Sequence, residues 1–349
     1  MMNIRVLFVG DLSGDGRGKQ RKRAMEDIVQ EVHGLSYYPE NTSNPGEKDT
    51  PFSEKVLWKL GFPLSKNPIN KMLLRAVKNH RPNILWIEKG NSIFPQTIKR
   101  VKRIVPDCQI VSHSEDDMFA FHNRSWYYTW GLRFYDVVFT TKKYNSRLGE
   151  LSALGAKRVV YIDQAYDRYL HKPVHISEED KIRFGSTVGF IGSYEKERAE
   201  SLLYLSENGI KVRVWGNRWN RIYKLHPNLI LERRPLYGED YVKGICSTMI
   251  NLCFLRKKNR DLHTSRTFEI PACRAFMIAE RTEDHLRLFK EAHEAVYFDS
   301  NEELLRKVRY YLKHEKERES VACLGWKRCI SSGYSFQERM EIMLKQIIS

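Results

Sequence analysis

TVGFIGS, residues 187–193, repeats halfway along the chain what IRVLFVG does at residues 4–10. Each is an apolar run that closes on glycine or just past it, the pattern of a strand buried on both faces of a parallel sheet. Outward from the first run, NILWIEKG (83–90), QIVSHS (109–114), DVVFTT (136–141) and RVVYID (158–163) follow. Helical stretches lie between them near 21–33, 68–79, 95–104, 124–134 and 144–153. Outward from the second run come KVRVWGN (211–217), LILERR (229–234), MINLCFL (249–255), AFMIAE (275–280) and AVYFDS (295–300). Helices fit at 195–208, 238–247, 266–274, 283–290, 301–314 and 315–330. This alternation predicts an α/β chain of two Rossmann-like, doubly wound parallel-sheet domains, at 1–165 and 186–332. The polar stretch 166–185, with Pro173, reads as a linker. Residues 333–349 form an amphipathic tail with Met340, Met343, Leu344 and Ile347 at helical spacing. Ligands of such sheets bind beyond the carboxyl ends of the strands, so function is expected in those loops, in a cleft between domains.

Composition narrows the class. A chain of 349 residues suits two domains, and 42% hydrophobic with 29% charged residues argues against disorder and against a membrane-embedded protein. No apolar run approaches the roughly 18 residues of a membrane span, and no basic segment before IRVLFVG suggests a signal peptide. Cys108, Cys246, Cys253, Cys273, Cys323 and Cys329 form no CxxC pair, so no structural zinc and a reducing, cytoplasmic setting are expected. The net charge of +16 speaks of partners: nucleic acid, an anionic membrane surface or a phosphorylated small molecule. Arg17, Lys19, Arg21, Lys22 and Arg23 are its densest cluster, read either as a solvated helix face or as a mobile basic loop.

Several motifs invite chemistry. GDLSGDGRGK (10–19) fails as a P-loop, because Ser13 stands at the first glycine position and Gln20 follows Lys19. A loop contacting phosphate or acceptor stays open. SEDD (114–117) offers carboxylates for a metal or a general base, with Glu115 and Asp117 alternating, and serves equally as a turn and helix cap. His113, Lys89 and Lys142 lie at other strand ends, where a lysine either meets an anion or is solvated. NRDLHTSRTFEIPACRAFMIAE (259–280) is the most informative stretch. Thr264, Ser265 and Arg266 stand where a helix should begin, a diphosphate site in principle. Glu269 falls in the first turn, placed to chelate a ribose diol, and Asp261 precedes it by eight residues. A capped helix with a surface salt bridge remains the plain alternative.

RTFEIPACRAFMIAERTEDHLRLFKEAHEAVYFDSNEELLRKVRYYL (266–312) resembles the CgeB-type glycosyltransferases, a branch related to the retaining glycosyltransferase family four with the GT-B fold. The likeness runs over roughly 186–340, with SEDDM, YDVVFTTKKYN and LHKPVH as looser matches earlier. That family carries an acidic pair spaced as Asp261 and Glu269 are, though its first acid is Glu. The resemblance implies that Glu269 binds the nucleotide ribose and that Asp261 serves the donor sugar. In GFIGSYEKER (189–198) it puts Gly192 and Ser193 at the diphosphate and Arg198 at a cationic position, with Arg266 supplying the cation that Ser193 lacks. WGNRW (215–219) and RRPLYGEDY (233–241) become base-side loops, with Gly216, Asn217, Leu236 and a stacking Tyr237.

The expected function is transfer of a sugar from a nucleotide donor, UDP-sugar foremost, to a glycan, lipid-linked or protein acceptor in polysaccharide biosynthesis. Retention and no metal or other cofactor are expected, with cations and a helix dipole in the metal's place. The 186–332 domain binds the donor. The N-terminal domain binds the acceptor near Asp116, Asp117, His113, Lys89 and Lys142, and the tail helix crosses back onto it. Two rivals stand: an inverting enzyme with Asp116 or Asp117 as base, and a noncatalytic nucleotide-sugar-binding assembly protein. Peripheral contact with an anionic membrane through Arg17–Arg23 stays open, and no nucleic-acid module is recognised.

Overall fold

The computed structural model describes residues 2–14, 16–38, 52–63 and 68–348. The chain divides into two units: one runs to Asp163 and resumes at Phe336, and the other spans Gln164–Ser335. In the first unit the strands are β1 (Met2–Gly10), β2 (Val29–Ser36), β3 (Ile84–Glu88), β4 (Gln109–Ser114), β5 (Val137–Thr140) and β6 (Val159–Tyr161). They form one parallel sheet in the order β2-β1-β3-β4-β5-β6. Every residue of β3 and β5 is buried: the apolar runs, as a sheet covered on both faces requires, and Glu88 and Thr140 at the strand ends.

The second unit holds β7 (Ser186–Ile191), β8 (Val212–Trp215), β9 (Leu229–Leu231), β10 (Thr248–Cys253), β11 (Met277–Glu280) and β12 (Val296–Phe298). Their order is β12-β11-β10-β7-β8-β9, again all parallel. In each sheet the chain winds outward on one side of its first strand and then returns to wind on the other. The switch point therefore lies between β1 and β3 in one unit and between β7 and β10 in the other.

Four readings of the sequence are corrected. The helix read at 21–33 runs from Arg17 to Glu26, and β2 follows it. β2 is an edge strand that pairs only with β1 and buries only Val29 fully, so its many polar positions blurred the strand signal. The stretch read as a linker at 166–185 belongs to the second unit and carries the helix Glu178–Phe184. Ser177 and Asp180 form a capping box at its start, a signature present in the sequence. Arg17–Arg23 is helix, not loop. The helix read at 144–153 is two short turns, Lys143–Ser146 and Leu148–Ser152.

The tail helix Phe336–Ile348 belongs to the first unit. It buries Phe336, Met340, Met343, Leu344 and Ile347, the stripe its periodicity predicts. The Arg17 and Arg21 guanidinium groups lie over the Phe336 ring, at 5.1 and 5.6 Å from its centroid. All six cysteines are free. No helix among the described residues is long and apolar enough to cross a membrane.

Candidate functional site

The second unit's switch point is built from the ends of β7 and β10. β7 runs into Gly192 and Ser193, and the helix Lys196–Glu207 then carries Arg198. β10 runs into Phe254 and Leu255, and the short helix Arg266–Ala272 begins with Arg266. Arg198 is buried; its Nη1 donates to the Ser193 carbonyl at 3.0 Å and its Nε to the Leu255 carbonyl at 3.3 Å. Arg266 Nη2 donates to the Phe254 carbonyl at 3.2 Å. Both guanidinium carbons stand 5.5 Å from the centroid of Phe190, so one ring bears two cations. Arg198 Nη2 and Arg266 Nε are buried and have no hydrogen-bond partner. Burial, then the neighbouring Arg266 charge, pulls the Arg198 guanidinium down to about 10. Glu195 opposes this only from 4.0 Å. Two neighbouring like charges with buried, unpaired N–H atoms are what an anion would complement.

The backbone there is pressed close. A Cβ on Gly216, at φ +149, would stand 2.0 Å from the Gly192 carbonyl oxygen, so only glycine fits. Trp219 Nε1 donates to that same oxygen at 2.8 Å, and Tyr194 N donates to the Asn217 carbonyl at 2.9 Å. These bonds tie the loops after β7 and β8 together. Leu236 is buried, whereas Tyr237 is exposed and open to a stacking partner.

Glu269 is buried. It accepts from the Tyr241 hydroxyl at 2.6 Å and lies 4.0 Å from His171 Nε2. Burial, then Glu269, drives the Tyr241 phenol well above its usual value, while the Arg266 charge opposes them. Arg266 thus joins the Arg198 and Glu269 groups into one electrostatic cluster. Asp261 is bound within its own loop: it accepts from Arg256 N at 3.2 Å and from Asn259 Nδ2 at 2.8 Å. Its charge also supports the protonated form of Arg198. Thr264 is buried with its hydroxyl 3.7 Å from Cys253 Sγ, so it faces the interior. Ser265 is half-buried and makes no side-chain cap. Tyr241, His171 and Phe190 escaped assignment from sequence, although Tyr241 closes the quoted RRPLYGEDY.

The first unit's switch point is filled differently. Arg21 makes a two-pronged bond to Glu88, at 3.0 and 2.7 Å, and reaches Glu115 at 2.9 Å. Arg17 holds Glu115 at 2.7 and 2.6 Å. Trp86 Nε1 donates to Glu88 at 2.8 Å, and His113 Nδ1 lies 3.2 Å from it. Burial pushes the Glu88 carboxyl up, but Arg21 and His113 outweigh it and bring it down to about 2. The acceptor candidates surround this network. His113 faces Glu88, and Lys89 pairs with Asp116. Lys142 is buried rather than solvated. Asp117 is buried and accepts from Phe119 N, Ala120 N and Asn145 Nδ2, the cap of a turn. With Glu115 held by two arginines, the Glu115–Asp117 pair does not form a cation site. Glu31, His33 and His80 bring ligand atoms within 4.8 Å of one another at β2 and the end of the helix Ile69–His80, a trio that sequence spacing did not reveal.

Comparison with known proteins accords with this geometry. Residues 197–345 match the family model described as glycosyl transferase-like. No curated protein sequence matches. Sucrose-phosphate synthase from Thermosynechococcus elongatus superposes with a TM-score of 0.67 at 10% identity, over 100% of this chain and 99% of that one. HepE of Anabaena, solved with UDP and glucose, superposes at 0.62 and 10% identity, over 99% of this chain and 100% of HepE. An alpha-glucosyltransferase solved with UDP and DNA superposes at 0.63 and 13% identity, over 99% of this chain and 100% of that one. The fold is GT-B, that of these structures, and residues 197–345 are similar to the glycosyl transferase-like family.

Proposed function

We propose that this protein is a glycosyltransferase that takes its sugar from a UDP-sugar held by the second unit. The observation that carries the reading is the pair of guanidinium groups at its switch point, Arg198 buried and Arg266 half-buried, with the buried atoms Arg198 Nη2 and Arg266 Nε lacking acceptors. A diphosphate supplies the acceptor oxygens and the opposing charge. Departure of a nucleoside diphosphate builds negative charge on the leaving group, and fixed cations lower that barrier. Two arginines thereby do in this mechanism what a divalent metal does elsewhere. UDP is favoured because the solved structures of HepE and of the alpha-glucosyltransferase hold it. Glu269 takes the ribose, Tyr237 stacks on the base, and Asp261 serves the donor sugar beside Arg198. Retention is the stereochemical reading: Asp116 is paired with Lys89 and Asp117 is spent on a turn, which argues against either as an inverting base. The CgeB-type branch, a glycan, lipid-linked or protein acceptor on the first unit, and a role in polysaccharide assembly complete the proposal.

Calorimetry with UDP and other nucleotides, followed by UDP release from a panel of UDP-sugars, tests it. UDP binding that Arg266→Ala weakens, and turnover that survives EDTA, are the expected results. UDP binding without UDP release would make the protein a nucleotide-sugar binder, and no binding of any nucleotide would overturn the donor site.

A further inference from the structure

Away from its switch point, the first unit carries a face that is exposed among the described residues. Trp58 and Leu60 stand 42% and 57% exposed at the end of the helix Phe52–Lys59, and Phe94, Phe121 and Trp130 are 41%, 45% and 45% exposed. These residues form one surface. Phe121 packs its ring 5.6 Å from Trp126, and Trp126 stacks on Trp130 at 5.7 Å. Phe62 bridges Trp130 and Tyr127 at 6.0 and 5.7 Å, and Tyr127 meets Phe94 at 4.8 Å. Gly61 is the joint. Its carbonyl accepts from Trp126 N at 2.9 Å, and a Cβ there would stand 2.7 Å from Trp126 Cδ1. Its amide donates to the Trp58 carbonyl at 2.9 Å, which ties the helix carrying Trp58 to the rings.

The rim of this face is cationic. Phe94 leads directly into the helix Pro95–Ile104, PQTIKRVKRI, which has four cations and no acid. Lys99, Arg100 and Arg103 are exposed on it, whereas Lys102 is paired with Asp136 at 2.7 Å. Arg124 lies over the rings of Phe119 and Phe121, and Arg133 is exposed just past Trp130. Exposed aromatic and leucine side chains ringed by arginine and lysine suit the boundary between lipid headgroups and acyl chains.

We propose that this aromatic and basic face docks the protein on an anionic phospholipid surface. The charge complementarity is local, and the chain's net +16 steers it toward such a surface. Attachment is peripheral: rings enter the interface, cations meet lipid phosphates, and no described helix crosses the bilayer. The proposal places membrane contact here, because Arg17 and Arg21 are spent on Glu88 and Glu115. It does not depend on the donor reading.

Co-sedimentation of the full chain with two vesicle types tests it: phosphatidylcholine alone, and phosphatidylcholine with an equal part of phosphatidylglycerol. The wild type should sediment with the anionic vesicles, release as salt rises, and shift its tryptophan emission to the blue on binding. Phe94→Ala with Trp130→Ala should weaken binding by roughly tenfold or more. Lys99→Gln with Arg100→Gln and Arg103→Gln should abolish the preference for anionic lipid. Thermal melts report whether either variant has lost its fold, and the salt and lipid dependence of the wild type stands apart from both. A wild type left in the supernatant with anionic vesicles overturns the proposal, as do folded variants that bind like wild type. Emission that responds to a neutral oligosaccharide and not to vesicles assigns the face to a glycan and likewise overturns it.

Discussion

The two switch points of this molecule both hold buried arginines, and they balance them in opposite ways. In the first unit Arg21 meets Glu88 and Glu115, Arg17 meets Glu115, and the guanidinium charge is cancelled by side chains of the same unit. In the second, Arg198 and Arg266 share the Phe190 ring, repel each other, and keep buried N–H groups without acceptors. A buried charge is tolerated only when something compensates it. Where the protein supplies the carboxylates, the cluster is architecture. Where it does not, the charge is left for a ligand to balance, as the proposed donor site requires. The same residue type at the same topological position therefore has two meanings, separated by a count of nearby carboxylates.

That comparison can be broken most sharply at Glu88. Glu88→Ala leaves Arg21 desolvated and half its partners gone, so global stability should fall by about 3–5 kcal/mol in denaturant titration. A loss under 1 kcal/mol would mean that the network is not what holds the first unit together.

Acid probes the same group without mutation. The folded Glu88 carboxyl titrates near 2 against an ordinary 4.5, so its contribution is complete above pH 4.5 and is lost as pH falls toward 2. That contribution is about 3 kcal/mol. His285 in the second unit behaves at higher pH, since burial above all lowers its imidazole from 6.5 to about 4. Its contribution is complete above pH 6.5 and is lost as pH falls toward 4. Hydrogen exchange followed during acidification should loosen residues around His285 before those around Glu88. The reverse order would contradict both assignments.

At the uncompensated site the effect should move from stability to binding. Arg266→Ala should leave the melting temperature unchanged or slightly raised, because it relieves a repulsion. It should weaken UDP by about 1.5–3 kcal/mol in calorimetry, the worth of a charged hydrogen bond. If it unfolds the protein as Glu88→Ala does, the two switch points are alike and the donor reading fails. The smallest effect is expected at Tyr241→Phe, which removes only the bond to Glu269. UDP affinity should drop by about 0.5–1.5 kcal/mol, and unchanged affinity would detach Glu269 from the ribose.

Much of the fold could be read directly. All six strands of the second unit lie where apolar runs predict them, because each keeps enough apolar residues to mark the run even around Arg213 and Asn251. β2 escaped because half of its sequence, VQEVHGLS, is polar and only Val29 is fully buried. The helix Glu178–Phe184 escaped because its capping box was overlooked beneath a polar composition. The site was legible in part. Arg198 and Arg266 were singled out through resemblance and spacing, whereas Tyr241 and His171 carry no local mark of what they face. Gly192 and Gly216 are named from motif position, whereas the reason glycine stands there is tertiary: a Cβ would meet the Phe190 ring at Gly192 and the Gly192 carbonyl at Gly216.

The amino-acid sequence by itself determined two parallel sheets, their helices and the loops in which chemistry could lie, because hydrophobic periodicity is a local property of the chain. What it did not determine is which arginines are satisfied. Arg21 finds Glu88 across 67 residues and Glu115 across 94, and no pattern along the chain announces either meeting. In one dimension the basic cluster at 17–23 is a run of like charges open to either reading. Tertiary structure spends Arg17 and Arg21 on carboxylates of their own unit and leaves Arg198 Nη2 without an acceptor, and the free energy of a buried charge depends on what surrounds it in space.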